Sequence, residues 1–181
     1  MTGASWTGWI VGACYLALFF LFSAMAARRM KTPLWLFDTD GQARTSWGFR
    51  LGFAVLLVWP LAALPLSGAA IWVGLAGAGA ALAMGGQLYM GRSWRIGAAE
   101  GKTGALVTGG PFRVSRNPVF VGQILLFWSL VPLAGPVMAG AAVVVTVSAI
   151  VQVRIVERVL MSDPAWQGYA ARTRRWIGRR A

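Results

Sequence analysis

Long stretches without a single charged side chain alternate with short basic segments along this chain. A soluble domain carries charge on about a quarter of its residues, whereas here only 12% are charged and 57% are hydrophobic. The charge-free stretches are 1–27, 51–91 and 117–153. They are long enough to cross a lipid bilayer, and their alternation with basic segments predicts an all-α, polytopic membrane protein.

The excess of basic residues also has a membrane explanation. Seventeen lysines and arginines oppose five acidic residues, which gives a formal net charge of +12. Such a charge can indicate nucleic-acid binding, but here it is confined to the segments between the apolar stretches. Basic segments of this kind are retained in the cytoplasm and lie against anionic lipid headgroups. We therefore predict membrane lipids as partners and no nucleic acid, and the oligomeric state stays open.

The hydrophobic pattern predicts five spans in one integral membrane domain over residues 1–181. Three N-terminal spans occupy 1–90, and a connector, a helical hairpin and a tail occupy 91–177. The predicted spans are about 6–27, 48–65, 68–90, 118–131 and 137–153. At about 1.5 Å per residue, the first hairpin arm is too short to cross alone. Its helix is expected to begin below the hydrocarbon or to continue through Pro132, with Gly135 and Pro136 forming the turn. The basic tail predicts a short interfacial helix.

The basic cluster after the first span predicts the orientation. Arg28, Arg29 and Lys31 follow the span, so the N-terminus is expected outside and the C-terminus in the cytoplasm. The chain is compact and lacks a eukaryotic retention signal, and we expect a bacterial inner membrane. Interfacial tryptophans are expected at the outer boundary (Trp6, Trp9, Trp72) and the inner one (Trp35, Trp47, Trp94).

Small residues in the third span predict close helix packing. They recur at four-residue spacing as Gly74 with Ala78, Gly77 with Ala81, and Ala81 with Gly85. Such pairs allow two helix backbones to approach each other in a bilayer.

Histidine is absent, and Cys14 is the single cysteine. This composition excludes Cys/His zinc sites, haem ligation by histidine and a Ser-His-Asp triad. We predict no metal site, and any catalysis has to proceed without a histidine proton shuttle.

Two polar segments flank the predicted hairpin. The first, "GGPFRVSRNPVFVG" at 109–122, contains Asn117 as a predicted N-cap and Pro118 as the first helical residue. The second, at 153–177, contains Glu157 where the last span leaves the membrane. The hairpin brings the two segments together at the cytoplasmic face. A site for a charged or polar ligand is one interpretation; arginines reaching for headgroups and a local ion pair of Glu157 with Arg154 or Arg158 are the other.

These segments carry a family resemblance. "LVTGGPFRVSRNPVFVG", a hydrophobic hairpin, a membrane-exit glutamate and "DPAWQGYAARTRRWI" resemble the isoprenylcysteine carboxyl methyltransferase and phospholipid methyltransferase group. The resemblance covers about 88–177. It implies a membrane methyltransferase that uses S-adenosylmethionine, which the connector and the ends of the last two spans would hold.

The resemblance also implies the roles of individual residues. Glu157 would hold the methionine ammonium, and Arg116 would orient an anionic substrate. Arg154 is a further candidate to pair with a carboxylate, so the catalytic candidates are Arg116, Arg154 and Glu157. The implied cofactor residues are Leu106, Val107, Thr108, Gly110, Pro111, Phe112, Asn117, Pro118, Phe120, Gly122, Glu157 and Tyr169.

Three positions depart from the family pattern. Asn117 stands in place of histidine, Phe120 in place of tyrosine, and Val156 in place of a second glutamate. An activated methyl group needs no general base if the acceptor is a carboxylate, which suits a chain without histidine. The predicted function is therefore methyl transfer to a lipophilic, carboxylate-bearing small molecule, lipid or lipidated acceptor at the cytoplasmic face. An NADPH-dependent reductase of sterol-reductase-like architecture and a non-catalytic scaffold stay open as alternatives.

Overall fold

The fold is a bundle of helices. A computed structural model describes residues 1–30, 36, 42–98 and 104–179. The α-helices of these residues are α1 (Gly3–Met30), α2 (Ala43–Val58), α3 (Ala70–Met90), α4 (Pro118–Ala134), α5 (Pro136–Leu160) and α6 (Pro164–Arg172). The described residues contain no β-strand, and the all-α prediction is confirmed.

Four of the helical segments are long and apolar enough to cross a membrane: Gly3–Arg29, Ala43–Ala62, Ala70–Ser93 and Pro136–Leu160. The remaining predicted span, α4, has 17 residues and is about 25 Å long. It continues through Pro132 and ends at Gly135, whose φ is +87°, and Pro136 begins α5. The hairpin turn is therefore the one predicted. Glycine suits it because other residues rarely adopt a positive φ.

The short helix α4 buries one face against the other helices, whereas Trp128 on it is exposed. Leu126, Phe127, Leu130 and Leu133 are fully buried. Its last carbonyls are also satisfied within the protein. The N–H of Leu64 donates to Ala134 O at 3.0 Å, those of Leu66 and Ser67 donate to Pro132 O at 2.8 and 2.9 Å, and Ser5 Oγ donates to Leu133 O at 2.9 Å. Because the terminal carbonyls of a helix need such partners, α4 can end inside the bundle.

The close contact between α3 and α4 uses a different face of α3 from the one predicted. Ala76, Gly79, Ala83 and Gly86 are buried, whereas a Cβ added at Gly74, Gly77 or Gly85 would meet no neighbour within 4 Å. The prediction of close packing at the latter positions is wrong. A side chain at Gly79 would meet the backbone of Leu126 and Gly122 of α4, so the backbones themselves are in contact here.

Buried polar contacts join α1 to α3 and to Trp94 at the end of the bundle that carries the charged segments. Gln87 Nε2 of α3 donates to Ser23 Oγ of α1 at 2.9 Å, and the indole N–H of Trp94 donates to the same oxygen at 3.1 Å. Trp94, which was predicted at the inner boundary, is 7% exposed and packs edge-on against Phe19, so its indole ring faces the interior of the bundle. Trp35 lies outside the described residues.

Candidate active site

A buried ion-pair cluster joins the connector, α5 and the tail. Arg116 Nη2 lies 3.1 Å from Glu157 Oε1, and Arg175 Nη2 lies 2.7 Å from Glu157 Oε2. Arg175 Nε also donates to Glu157 Oε2 at 2.8 Å. The side chains of Arg116 and Glu157 are each 8% exposed, and that of Arg175 is 42% exposed. One carboxylate therefore holds two arginines that the sequence separates widely.

The tail is fixed to the connector by main-chain hydrogen bonds. Arg116 N donates to Arg174 O at 3.1 Å, and Gly178 N donates to Val114 O at 2.6 Å. The Asn117 side chain donates to Arg175 O at 3.1 Å and lies 3.5 Å from Glu157 Oε1. Asn117 is the N-cap residue of α4 and Pro118 is its first residue, as predicted, but the Asn117 side chain makes no capping hydrogen bond. Its amide ties the tail to the start of α4 instead.

Helix α6 closes the same region with two aromatic side chains. The Tyr169 hydroxyl donates to Phe112 O at 2.6 Å and lies 3.3 Å from Ser115 O. Burial raises the pKa of Tyr169 to about 12, although the positive charge of Arg116 acts in the opposite direction. The Arg116 guanidinium lies 5.4 Å from the ring centre of Trp166, within cation–π distance. The Arg116 side chain is thus fixed by a carboxylate and an indole ring.

A cavity of about 220 Å³ adjoins this cluster. Part of its wall is aromatic and includes Phe19, Phe20, Phe49, Phe53 and Phe120. Its polar lining includes Arg50, Arg95, Arg116, Asn117, Gln123 and Gln152. The cavity can therefore accommodate a ligand that combines an apolar body with anionic and hydrogen-bonding groups.

Glutamines define the polar side of the cavity. Gln123 Nε2 donates to the Tyr15 hydroxyl at 2.7 Å, whereas Gln123 Oε1 is buried and has no hydrogen-bond partner in the described residues. Gln152 Nε2 donates to Gln42 Oε1 at 2.7 Å, and Gln42 Nε2 donates to Ala98 O at 2.6 Å. This amide chain fixes the segment 94–98 as one wall. The Gln123 carbonyl is an acceptor that a bound ligand can satisfy.

A comparison with protein families shows the family to which the chain belongs. The phospholipid methyltransferase family matches residues 69–164, which comprise more than half of the chain and include α3, the connector and the α4–α5 hairpin. The chain belongs to the phospholipid methyltransferase family. The family prediction is confirmed, and with the four apolar helices it indicates an integral membrane methyltransferase. Comparison with curated proteins and with solved structures gives no match.

In this member of the phospholipid methyltransferase family, the candidate site residues divide into two groups. Those that line the cavity are Leu106, Val107, Phe112, Arg116, Asn117, Pro118, Phe120 and Tyr169. Those outside its lining are Thr108, Gly110, Pro111, Gly122, Arg154 and Glu157. The division separates residues that border this cavity from residues that do not.

The residues outside the cavity have other surroundings. Glu157 contacts Arg116 and Arg175, so the ion pair expected with Arg154 or Arg158 is not the one formed. Arg154 is exposed on α5. Gly122 packs against the backbone of α3 at Ala83 and Gly79. Gly110 and Pro111 form a 3₁₀ turn, in which Gly110 lies on the ring of Tyr89.

Sequence reasoning missed several residues of the site. Arg50 and Arg95 line the cavity, and Trp166 contacts Arg116 from α6. The glutamines carried a usable signal, because Gln123 and Gln152 lie in an otherwise apolar stretch, and polar residues within membrane helices are costly unless they have a role. Arg175 carried none, since it is one of several similar arginines in the tail.

Proposed function

We propose that this protein transfers a methyl group from S-adenosylmethionine to a lipophilic, carboxylate-bearing acceptor at the cytoplasmic face of the membrane. The observation that carries the proposal is the cavity itself. In a phospholipid methyltransferase family member, an aromatic slot inside the bundle opens onto three arginines at the basic end. A lipophilic acceptor with an anionic headgroup matches both the aromatic part and the arginine-lined part of the cavity.

The cavity residues suit S-adenosylmethionine. The unpartnered Gln123 Oε1 accepts from an amino or hydroxyl donor, which adenine, ribose and the methionine ammonium all offer. Aromatic faces stabilise a sulfonium charge, and Phe49 and Phe120 lie 5.8 Å apart in the lining. An arginine can pair with the methionine carboxylate. The residues proposed to hold the cofactor directly are Leu106, Val107, Phe112, Asn117, Pro118, Phe120 and Tyr169.

When bound, S-adenosylmethionine supplies an electrophilic methyl group. The chain contributes alignment, charge pairing and exclusion of water. A carboxylate acceptor is already ionised, so no side chain has to remove a proton. Arg116, held between Glu157 and Trp166, is proposed to orient that carboxylate. Because it is fixed before the acceptor arrives, little ordering remains to be done on binding.

We assign Glu157 a positioning role rather than direct contact with the cofactor. Both of its carboxylate oxygens already contact arginines, and it does not line the cavity. It fixes Arg116 against the connector and holds Arg175 of the tail. Thr108, Gly110, Pro111 and Gly122 likewise act by shaping the connector and the α3–α4 contact. Arg154 is exposed and is proposed to meet the acceptor only outside the cavity.

A lipid-borne acceptor has a lateral route to the cavity. Phe20 of α1 lines the cavity and is also 48% exposed on the outside of the bundle. Its ring meets Phe53 of α2 edge-on at 6.1 Å. We propose that an acyl or prenyl chain reaches the cavity between α1 and α2, while the soluble cofactor arrives from the cytoplasm.

The test is a methyl-transfer assay on the full chain in nanodiscs. A lipid extract and methyl-labelled S-adenosylmethionine are supplied, and the labelled product is identified by mass spectrometry. We expect label in a base-labile ester, and about 100-fold less turnover for Arg116→Gln than for the exposed control Arg158→Gln. Label on an amine or phosphoester would refute the carboxylate acceptor. NADPH consumption without label would favour the reductase alternative.

A further inference from the structure

A second cavity, of about 350 Å³, lies beside the first. Its lining consists of Thr108, Arg113, Tyr169, Arg172, Thr173 and Arg179, and we call it the arginine pocket. Tyr169 contributes to the walls of both cavities, so the two cavities adjoin at this side chain. The volume falls in the range of small-ligand sites.

The arginine pocket concentrates positive charge without a carboxylate in its lining. In the described part of the chain, the ion pairs use Glu157 and engage Arg116 and Arg175. The side chain of Asp163 accepts from Ala165 N at 2.8 Å and caps α6. Within the part of the chain that the structure describes, Arg113, Arg172 and Arg179 therefore line the pocket without an acidic neighbour. Their mutual repulsion is relieved when an anion binds between them.

The local fold brings these three arginines together. Arg113 ends the 3₁₀ turn of the connector, and Arg172 ends α6. Arg179 is placed opposite Thr173 by an antiparallel bridge. The turn between them is closed by Arg174 N donating to Gly178 O at 2.9 Å, and Gly178 has a φ of +109°. The main-chain bond from Gly178 N to Val114 O then fixes this turn to the connector beside Arg113.

We propose that the arginine pocket binds a phosphate oxyanion. Three guanidinium groups match a tetrahedral group with several oxygens better than a planar carboxylate with two. The hydroxyls of Thr108 and Thr173 add potential donors, and Thr173 is 4% exposed. The phosphate belongs either to a membrane lipid headgroup or to a soluble phosphate compound. This site is separate from the proposed methyl-transfer cavity and does not depend on that function.

The proposal is tested by binding to the full chain in detergent. One arm measures retention of phosphatidylglycerol, against uncharged diacylglycerol, by native mass spectrometry. The other arm measures binding of inorganic phosphate by calorimetry. The test variant combines Arg172→Gln with Arg179→Gln. The control combines Arg92→Gln with Arg158→Gln; it loses the same charge, and its two arginines lie outside the pocket. Circular dichroism verifies that each variant is folded, and Arg113→Gln is a second test variant.

Loss of phosphatidylglycerol retention by about tenfold or more in the test variant, with retention in the control, supports a lipid headgroup site. The same dependence on arginine for inorganic phosphate, without preferential lipid retention, supports a soluble phosphate ligand. In either case, binding should weaken as salt is raised, because the arginines are exposed. Equal binding by test and control variants, or no binding of either probe to the unaltered chain, would overturn the proposal.

Discussion

At the scale of single residues, the most informative group is Glu157 with its two arginines. A charge this deeply buried is tolerated only when it is paired. Arg116 is as buried as Glu157, whereas Arg175 is 42% exposed. The two ion pairs of one carboxylate therefore differ in their exposure to solvent screening, and they should differ in strength.

Double-mutant cycles should resolve this difference. We expect a coupling energy of about 2 kcal/mol or more between Glu157→Gln and Arg116→Gln. Between Glu157→Gln and Arg175→Gln we expect less than about 1 kcal/mol, because solvent screens the exposed arginine. Denaturant unfolding in detergent measures both cycles. Equal coupling energies would show that burial does not govern this cluster.

Ionisation of the Tyr169 hydroxyl should lower the stability of the folded chain at high pH. Its pKa is raised from 10 to about 12 in the folded chain, so its contribution is fully present below pH 10 and is lost as the pH rises through 12. We expect Tyr169→Phe to lower the melting temperature at pH 8, since the carbonyl oxygens of Phe112 and Ser115 lose their donor. The gap between the two proteins should narrow between pH 10 and pH 12 in thermal scans. A gap that stays constant over this interval would contradict the assigned cause.

The sequence predicts a contact between residues only where its pattern shows that their two segments are close in space. The hairpin predicted that the segments containing Arg116 and Glu157 come together, and the 3.1 Å contact between these two side chains agrees with that, although the pair itself was not predicted. The partner from the tail was beyond prediction, because any of several neighbouring arginines could have reached the carboxylate. The side-chain role of Asn117 was mispredicted for a related reason: a local capping pattern lost to a tertiary bond with Arg175 O.

At the scale of elements, α3 and α4 meet backbone to backbone at Gly79 and Gly122. The four-residue spacing of small residues predicted close packing of α3, but on the wrong face of the helix. Glycine and alanine occur on several faces of this helix, so more than one face offers small residues at suitable spacing. The face of α3 that packs against α4 is determined by Gly122 of α4. It therefore cannot be predicted from the sequence of α3 alone.

Two glycine-to-alanine substitutions test this contact. Gly122→Ala places a Cβ against the backbone of Ala83 and Gly79, which cannot move as a side chain would. We expect it to lower the free energy of unfolding by about 1–3 kcal/mol. Gly140→Ala on α5 has no neighbour within 4 Å and should be neutral or slightly stabilising, because alanine favours helix. Unfolding in detergent compares them, and similar losses for both would exclude the close contact.

At the scale of the whole molecule, charge and burial are divided between the two ends of the bundle. The charged side chains that the structure describes belong to segments at one end, and the cavity and the ion-pair cluster lie there too. This arrangement was predictable, since alternating apolar and charged segments define both the spans and their common end. The shape of the cavity was not predictable, because it depends on side chains from six helices and the connector.

The orientation of the bundle follows from the same asymmetry, with the basic end expected in the cytoplasm. In a Cys14→Ala background, Ala69→Cys lies between α2 and α3, and Ala171→Cys lies on α6; both positions are exposed. We expect a membrane-impermeant maleimide to label Ala69→Cys in intact spheroplasts, and Ala171→Cys only after permeabilisation. The reverse pattern would place the site on the outer face.

The central claim is that the cavity at the basic end holds S-adenosylmethionine. Its most direct test is calorimetry of S-adenosylhomocysteine binding to the full chain and to two variants of adjacent α5 residues. Val156 lines the cavity, whereas Ile155 does not; both are half-buried. The account predicts binding to the unaltered chain, at least about tenfold weaker binding for Val156→Trp, and little change for Ile155→Trp. No binding to the unaltered chain, or equal affinity in the two variants, would contradict it.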